Sequence, residues 1–141
     1  MMFIQEKAAA VYQVLKEVYG QSPWTLKQIV SDMQQEHVDY FTFYHQETLL
    51  GFLAIQQLPG EMEITNLAVL PSYQGQGIAS WLMGQLDGFE GVIFLEVRAS
   101  NHRAQQLYLK HGFEVVGQRS NYYHDPIEAA LIMRREGKND R

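Results

Sequence analysis

The chain has 141 residues, 46% hydrophobic and 19% charged, with no cysteine and a formal net charge of −5. That length suits one domain with a substantial core of its own, and the lack of cysteine excludes thiol catalysis, iron–sulfur ligation and a disulfide scaffold. The acidic balance argues against binding nucleic acid by phosphate neutralisation.

Along the chain, Gln5 to Tyr19 carries Ala8, Val11, Val14, Leu15 and Val18 at helical spacing, with Gly20 as a stop. Glu6, Lys7, Lys16 and Glu17 interrupt this segment, so it is not an export signal, and no apolar run is long enough to span a bilayer. A cytoplasmic protein without membrane attachment is the expectation. Met1 to Ile4 leaves room for a short strand. "SPWTLKQIVSDM" opens a second helix, with Ser22 as its cap and Pro23 in the first turn.

"VDYFTFYH" and "TLLGFLAIQQL" read as a hairpin about "QE", and "PGE" turns the chain into a third strand, "MEITNLAVL". After "YQGQG", the residues Ile78, Leu82, Leu86 and Phe89 predict an amphipathic helix ending near Gly88 or Gly91. "GVIFLEV" predicts a strand covered on both faces. A helix follows from Asn101 to His111, closed by Gly112, and then come the strands "FEVVGQ" and "EAALIMRR". The order is helix, helix, three strands, helix, strand, helix, two strands: one α/β domain with a mixed sheet over 1–135. Residues 136–141 lack an apolar anchor and are expected to form a flexible tail.

Gly75, Gly77 and Ala79 fall where a strand hands over to a helix. A glycine turn opening a helix presents unpaired backbone N–H groups to an anion, aided by the helix dipole. An ordinary loop is the bland alternative. A P-loop would need Lys and Ser or Thr where Ile78 and Ala79 stand, and a Rossmann site would need a parallel βαβ unit rather than a meander.

The pattern Gln-x-x-Gly-x-Ala, Gln74 to Ala79, resembles the acetyl-CoA pyrophosphate motif of the GNAT superfamily of N-acetyltransferases, and the element order agrees. "LEVRASN", "LYLKHGF", "SNYY", "EAALIM" and "SPWT" are similar to the ribosomal-protein-alanine N-acetyltransferases within it. The resemblance implies a mostly antiparallel mixed sheet with a splayed pair of parallel strands and helices on both faces. It implies acetyl-CoA as cosubstrate, no metal, and a protein N-terminal α-amine as acceptor, here the alanine of a small-subunit ribosomal protein. The backbone of Leu67, Ala68 and Val69 would line the pantetheine and acetyl group, and Gly75, Gln76, Gly77, Ile78, Ala79 and Ser80 would hold the phosphates. Gln74 and Gln76 stand where arginine often appears, so phosphate binding would lean on backbone amides.

Glu96 interrupts an apolar strand; spacing alone leaves it either a strand-end ion pair with Arg98 or a working carboxylate. Asn101, Ala104 and Tyr108 share a helix face, and Tyr108 is either a core tyrosine or a cleft residue. The resemblance matches Glu96 to the general base, Tyr108 to the general acid and Asn101 to a cofactor contact. "RSNYYHDP" is expected as a loop, and by resemblance Arg119, Asn121, Tyr122 and Tyr123 wall the peptide site; edge aromatics are the other reading of the tyrosines. The histidines have no metal-site spacing: His102 and His111 are nine residues apart on one helix. Two rivals keep the fold: acetylation of a small amine or another protein, and a non-catalytic acyl-CoA-binding module. A monomer or weak homodimer is expected.

Overall fold

In the computed structural model, which describes residues 3–137, two helices lead the chain. Helix α1 (Ile4–Tyr19) buries Ala8, Val11, Val14 and Leu15, the stripe its spacing dictates, and stops at Gly20 with φ 77°. Phe3 is its extended N-cap and Ile4 its first residue, so no strand forms there; Met1 and Met2 lie outside the described residues. Helix α2 (Leu26–Met33) begins later than Ser22 suggests. Thr25 accepts from Gln28 N at 3.1 Å while Thr25 N donates to the Gln28 side chain at 2.8 Å, a reciprocal pair that satisfies two orphan donors. Ser22 instead closes a local turn, its hydroxyl donating to Trp24 O at 2.6 Å.

Strands β1 (Val38–His45), β2 (Thr48–Leu58) and β3 (Glu61–Val69) form the antiparallel meander. Its first turn lacks glycine, and Gln46 carries the positive φ of 56°. A short 3-10 turn (Pro71–Tyr73) leads to α3 (Ile78–Gly84), then β4 (Val92–Arg98), α4 (His102–Lys110), β5 (Glu114–Tyr123) and β6 (Glu128–Glu136). The sheet order is β1-β2-β3-β4-β6-β5, with β3 and β4 parallel and every other neighbour antiparallel. The core sits on β2, buried without alternation from Leu49 to Ile55; α1 and α3 both pack on it.

Three further expectations need correction. Helix α3 ends at Gly84 rather than near Gly88, because Gly84 is a poor helix former and the following amides tighten onto Leu82, Met83 and Gly84 carbonyls; this still turns Leu86 into the core. Strand β4 is not covered on both faces: Ile93, Leu95 and Val97 are buried, but Val92, Phe94, Glu96 and Arg98 lie on a half-open face. The segment Arg119–Pro126 is mostly strand, since β5 runs on to Tyr123 through an irregular register after Arg119. At the C-terminus β6 runs through Glu136, and Gly137 N donates to Gly91 O at 2.7 Å; residues 138–141 of the expected tail lie outside the described residues. Among the described residues no helix is long and apolar enough to cross a membrane.

Candidate active site

The site begins where the sheet parts. Strands β3 and β4 pair only from Glu61↔Val92 to Ile64↔Leu95. At that point β3 carries a bulge: the register with β2 steps from Ile55↔Ile64 to Ala54↔Asn66, leaving Thr65 unpaired, its hydroxyl donating to Ala54 O at 3.2 Å. Beyond the bulge β3 follows β2 while β4 follows β6, so the β3 edge over 65–69 faces a cleft instead of a strand. The cleft holds about 500 Å³, within the range of small-molecule sites. Leu67, Ala68 and Val69 line one wall, Gln74, Gly75, Gly77, Ile78, Ala79 and Ser80 the mouth, and Asn101, Ala104, Leu107 and Tyr108 the other wall.

Gly75 and Gly77 have φ of 81° and 88°, a left-handed conformation that side chains resist. A Cβ at Gly77 would meet nothing within 4 Å, and one at Gly75 would meet only Arg103 Nη2 at 3.7 Å. Backbone conformation, not crowding by the protein, is therefore what requires these glycines, and the space above them is open to a ligand. Gly51 is the opposite case: a Cβ there would lie 3.0 Å from Ala68 O and 3.3 Å from Ile78 Cγ2, so its bareness lets the end of β3 and the start of α3 seat against β2. Gln74 fastens the loop by donating to Val69 O at 2.9 Å. Gln76 does not line the cleft.

Two cations that the reading of the sequence missed do line it: Arg103 and Lys110, both on α4. They are seven residues apart and share a helix face, which is the signal that would have found them. They supply across the cleft the positive charge that Gln74 and Gln76 withhold from the loop. His111 Nε2 lies 3.1 Å from Ser80 Oγ and ties the end of α4 to the loop side. Burial, and then the positive charge of Lys110, lower the His111 pKa below its ordinary value.

Helix α4 is held in place at its start. Asn101 caps it, its side chain accepting from Ala104 N at 3.1 Å, and Gln105 donates to Arg98 O at 3.1 Å and Ala99 O at 3.0 Å at the end of β4. Tyr108 then falls on the inner wall, 7% exposed and with Phe113 against its ring at 5.8 Å. Burial first, and then the neighbouring Tyr19 and Tyr123, push its pKa above the usual tyrosine range, so at neutral pH it is a phenol that can donate a proton.

Glu96, Arg119, Asn121, Tyr122 and Tyr123 do not line this cleft; they gather on the half-open face of β4, β6 and β5 beside it. Arg98 is not the partner of Glu96. It pairs with Glu128 at 3.2 Å, donates to Pro126 O and His124 O at 3.2 Å, and stacks 4.4 Å from the Tyr123 ring centroid, thereby pinning the turn between β5 and β6. The Glu96 carboxylate forms its ion pair with Arg119, and its closeness to Tyr122 is the first cause of that tyrosine's raised pKa. Asn121, at φ 54°, sits in the register break that turns Tyr122 toward it. Tyr123 is pushed up to about 12 by burial and then by Glu96, and it also raises Tyr108, so the two catalytic candidates share a neighbour. Glu63 on β3 is a further carboxylate of this cluster that the sequence did not single out; burial, and then the charge of Glu96, raise its pKa. Among the described residues no group of three or more metal-binding side chains is assembled.

The site is thus a mixed α/β sheet that opens between two parallel strands, with a left-handed glycine loop at the mouth and a buried tyrosine on the inner wall. The sequence matches the model of the Acetyltransferase (GNAT) family over residues 7–113, and the chain belongs to that family. It is 36% identical over 123 residues to the N-alpha-acetyltransferase RimI of Mycobacterium tuberculosis, covering 83% of this chain and 78% of that protein. An uncharacterized protein of Mycobacterium leprae is 35% identical over 125 residues; the chain spans only 35% of that protein's length, while 84% of this chain is matched. Among solved structures, the ribosomal-protein-S18-alanine N-acetyltransferase of Escherichia coli superposes with a TM-score of 0.82 at 32% identity, covering 95% of this chain and 92% of that one.

Proposed function

We propose that the chain transfers the acetyl group of acetyl-CoA to a protein N-terminal α-amine, that of the alanine beginning a small-subunit ribosomal protein, as the names of its relatives suggest. The observation that carries this reading is the opening between β3 and β4, with a bare glycine loop at one end and Tyr108 beside the Glu96 cluster at the other. Residues 1–135 act as one catalytic domain in the cytoplasm.

The cleft fits coenzyme A on this chain's own terms. The open space over Gly77 and Gly75 receives the pyrophosphate on backbone N–H groups of Gly75 to Ser80, with Arg103 and Lys110 as counter-charges. The unpaired edge of Leu67 to Val69 holds the pantetheine, and an N–H there polarises the thioester carbonyl. Bound acetyl-CoA supplies an activated acyl group; the rest is proton handling and positioning by the protein. Glu96, directly or through a water, takes the proton from the acceptor ammonium. Tyr108, kept protonated by burial, gives one to the departing thiolate. An α-amine with a pKa near 8 lies about 2.5 units below lysine, so it is easier to deprotonate by roughly 3.5 kcal/mol, which suits a single carboxylate. Asn101 orders the start of α4, and Tyr122 and Tyr123 wall the acceptor side.

The test is acetyl transfer from acetyl-CoA to a peptide beginning Ala-Arg-Tyr, with an N-terminally blocked, lysine-containing peptide and a set of polyamines alongside. Turnover on the free N-terminus alone supports the reading. Turnover only on the polyamines replaces it with small-amine acetylation, and coenzyme A binding without any turnover replaces it with a binding module.

A further inference from the structure

The carboxylate that the proposed reaction needs is already occupied. Arg119, on the outermost strand β5, forms an ion pair with Glu96 on β4. Strand β6 lies between them, with Ala130 paired to Arg119 and Ile132 paired to Glu96, so the ion pair runs diagonally across β6 on the face that carries these side chains. The pair is asymmetric: the Glu96 side chain is 15% exposed and that of Arg119 is 60% exposed. Glu96 is fixed in a half-buried strand and gains from a permanent counter-charge. Arg119 hangs from an exposed edge strand, steadied besides Glu96 by the Tyr122 ring 5.7 Å away.

A second acceptor for the guanidinium is close. Glu63 pairs with Phe94 in the parallel ladder, so it shares a sheet face with Phe94 and with Glu96, one step further along β4. Both Glu96 and Arg119 act on its carboxyl, with opposite signs, which places the guanidinium in the field of both carboxylates.

We propose that Arg119 is a displaceable counter-ion that occupies the acceptor ammonium's position on Glu96, and that the entering amine shifts it toward Glu63. This rests on the reading of Glu96 as the acceptor-side carboxylate. Exchange of one cation for another keeps Glu96 paired throughout binding, so the half-buried carboxylate is never left bare. It also makes selectivity a competition. An acceptor must hold Glu96 better than a tethered guanidinium does, which an ammonium further anchored by its own peptide backbone achieves and a small free amine does not. Arg119 is then a positioning residue that works against binding, where an ordinary peptide contact would work for it.

The two roles differ in the sign of a KM. Arg119→Ala lowers the KM for the Ala-Arg-Tyr peptide about threefold to fivefold, the range of a partly exposed ion pair, and leaves the KM for acetyl-CoA unchanged. Arg119→Lys, which restores a cation, returns the peptide KM toward its original value. Glu63→Gln raises the peptide KM while Arg119 is present and has no effect in the Arg119→Ala background. A peptide KM that is raised or unchanged in Arg119→Ala, or a Glu63→Gln effect of equal size in both backgrounds, overturns the proposal. Calorimetric titration of the peptide into the coenzyme A-loaded chain reads the same exchange without turnover. Tighter binding in Arg119→Ala supports it, and equal or weaker binding overturns it. Absence of turnover with the peptide in the unaltered chain counts against the proposed function and leaves the calorimetric comparison decisive for the exchange.

Discussion

The two halves of the site are built from different materials. On the proposed cofactor side the chain uses mainly backbone, a β3 edge left unpaired by one bulge and two glycines at φ 81° and 88°, with Arg103 and Lys110 of α4 as the charges facing it. On the proposed acceptor side it uses charged and phenolic side chains, namely Glu63 from β3, Glu96 from β4, and Arg119, Tyr122 and Tyr123 from β5. A fixed ligand such as a diphosphate can be held by N–H groups whose directions the fold sets. An acceptor that must change its protonation state needs groups that can exchange charge with it. Backbone recognition is therefore contiguous in sequence, and proton handling is scattered across strands.

The strongest way to break this contrast is to remove one proton-handling group from each wall. Glu96→Gln and Tyr108→Phe are expected to lower kcat by about 10²- to 10⁴-fold, the usual contribution of a positioned acid or base. Because neither group holds the phosphates, the coenzyme A Kd, read by calorimetry, stays within about twofold of its original value in both variants. If Tyr108→Phe instead weakens coenzyme A binding and spares kcat, Tyr108 belongs to the cofactor wall alone and the division between the walls fails.

Smaller effects sharpen the cofactor side. Arg103→Ala should raise the coenzyme A Kd about tenfold and flatten its dependence on salt, since a charge-assisted contact to phosphate is lost. Gly77→Ala places a side chain in the left-handed region at a cost of about 1–2 kcal/mol. The open space around it means that the cost arises from φ alone, so it should appear as a lowered Tm without any clash in a crystal structure.

A control away from both walls is Thr25→Ala, which removes the cap of α2 and should cost about 1 kcal/mol of stability while leaving both KM values unchanged. That cap also marks the limit of sequence reading at the N-terminus. Ser22 and Pro23 look like a helix start, and only the reciprocal Thr25–Gln28 bonds show that the helix begins three residues on. The element order and the glycine loop were legible because each is a local pattern of period or turn chemistry. The site's opening was not, because the bulge at Thr65 lies inside a segment that reads as one uninterrupted strand and leaves no mark in composition. Nor were the partners of Glu96 and Arg98. Spacing two apart on one strand put them on the same face and suggested that they pair; the sheet order β4-β6-β5 instead brought Arg119 to the one and Glu128 to the other. Ion pairs across strands are set by register, which a single strand's sequence does not contain.

The last and smallest effect sets the two walls against each other through pH. His111, bonded to Ser80 on the cofactor side, has a native pKa below its ordinary 6.5 because of burial and then Lys110. Between that lowered value and 6.5 the unfolded chain binds more protons, so acidification through this window lowers stability. Glu63, on the acceptor side, has a native pKa above its ordinary 4.5 because of burial and then Glu96. There the native chain binds more protons, so acidification from the raised value down to 4.5 increases stability. Acidification from pH 7.5 to 4.5 should therefore carry a shallow fall in thermal stability from His111 and an opposing recovery from Glu63. His111→Gln, which keeps a polar partner for Ser80, removes the fall, and Glu63→Gln removes the recovery. If both variants change the same limb of the curve, the two walls titrate as one coupled site and the separation of backbone from charge does not extend to their energetics.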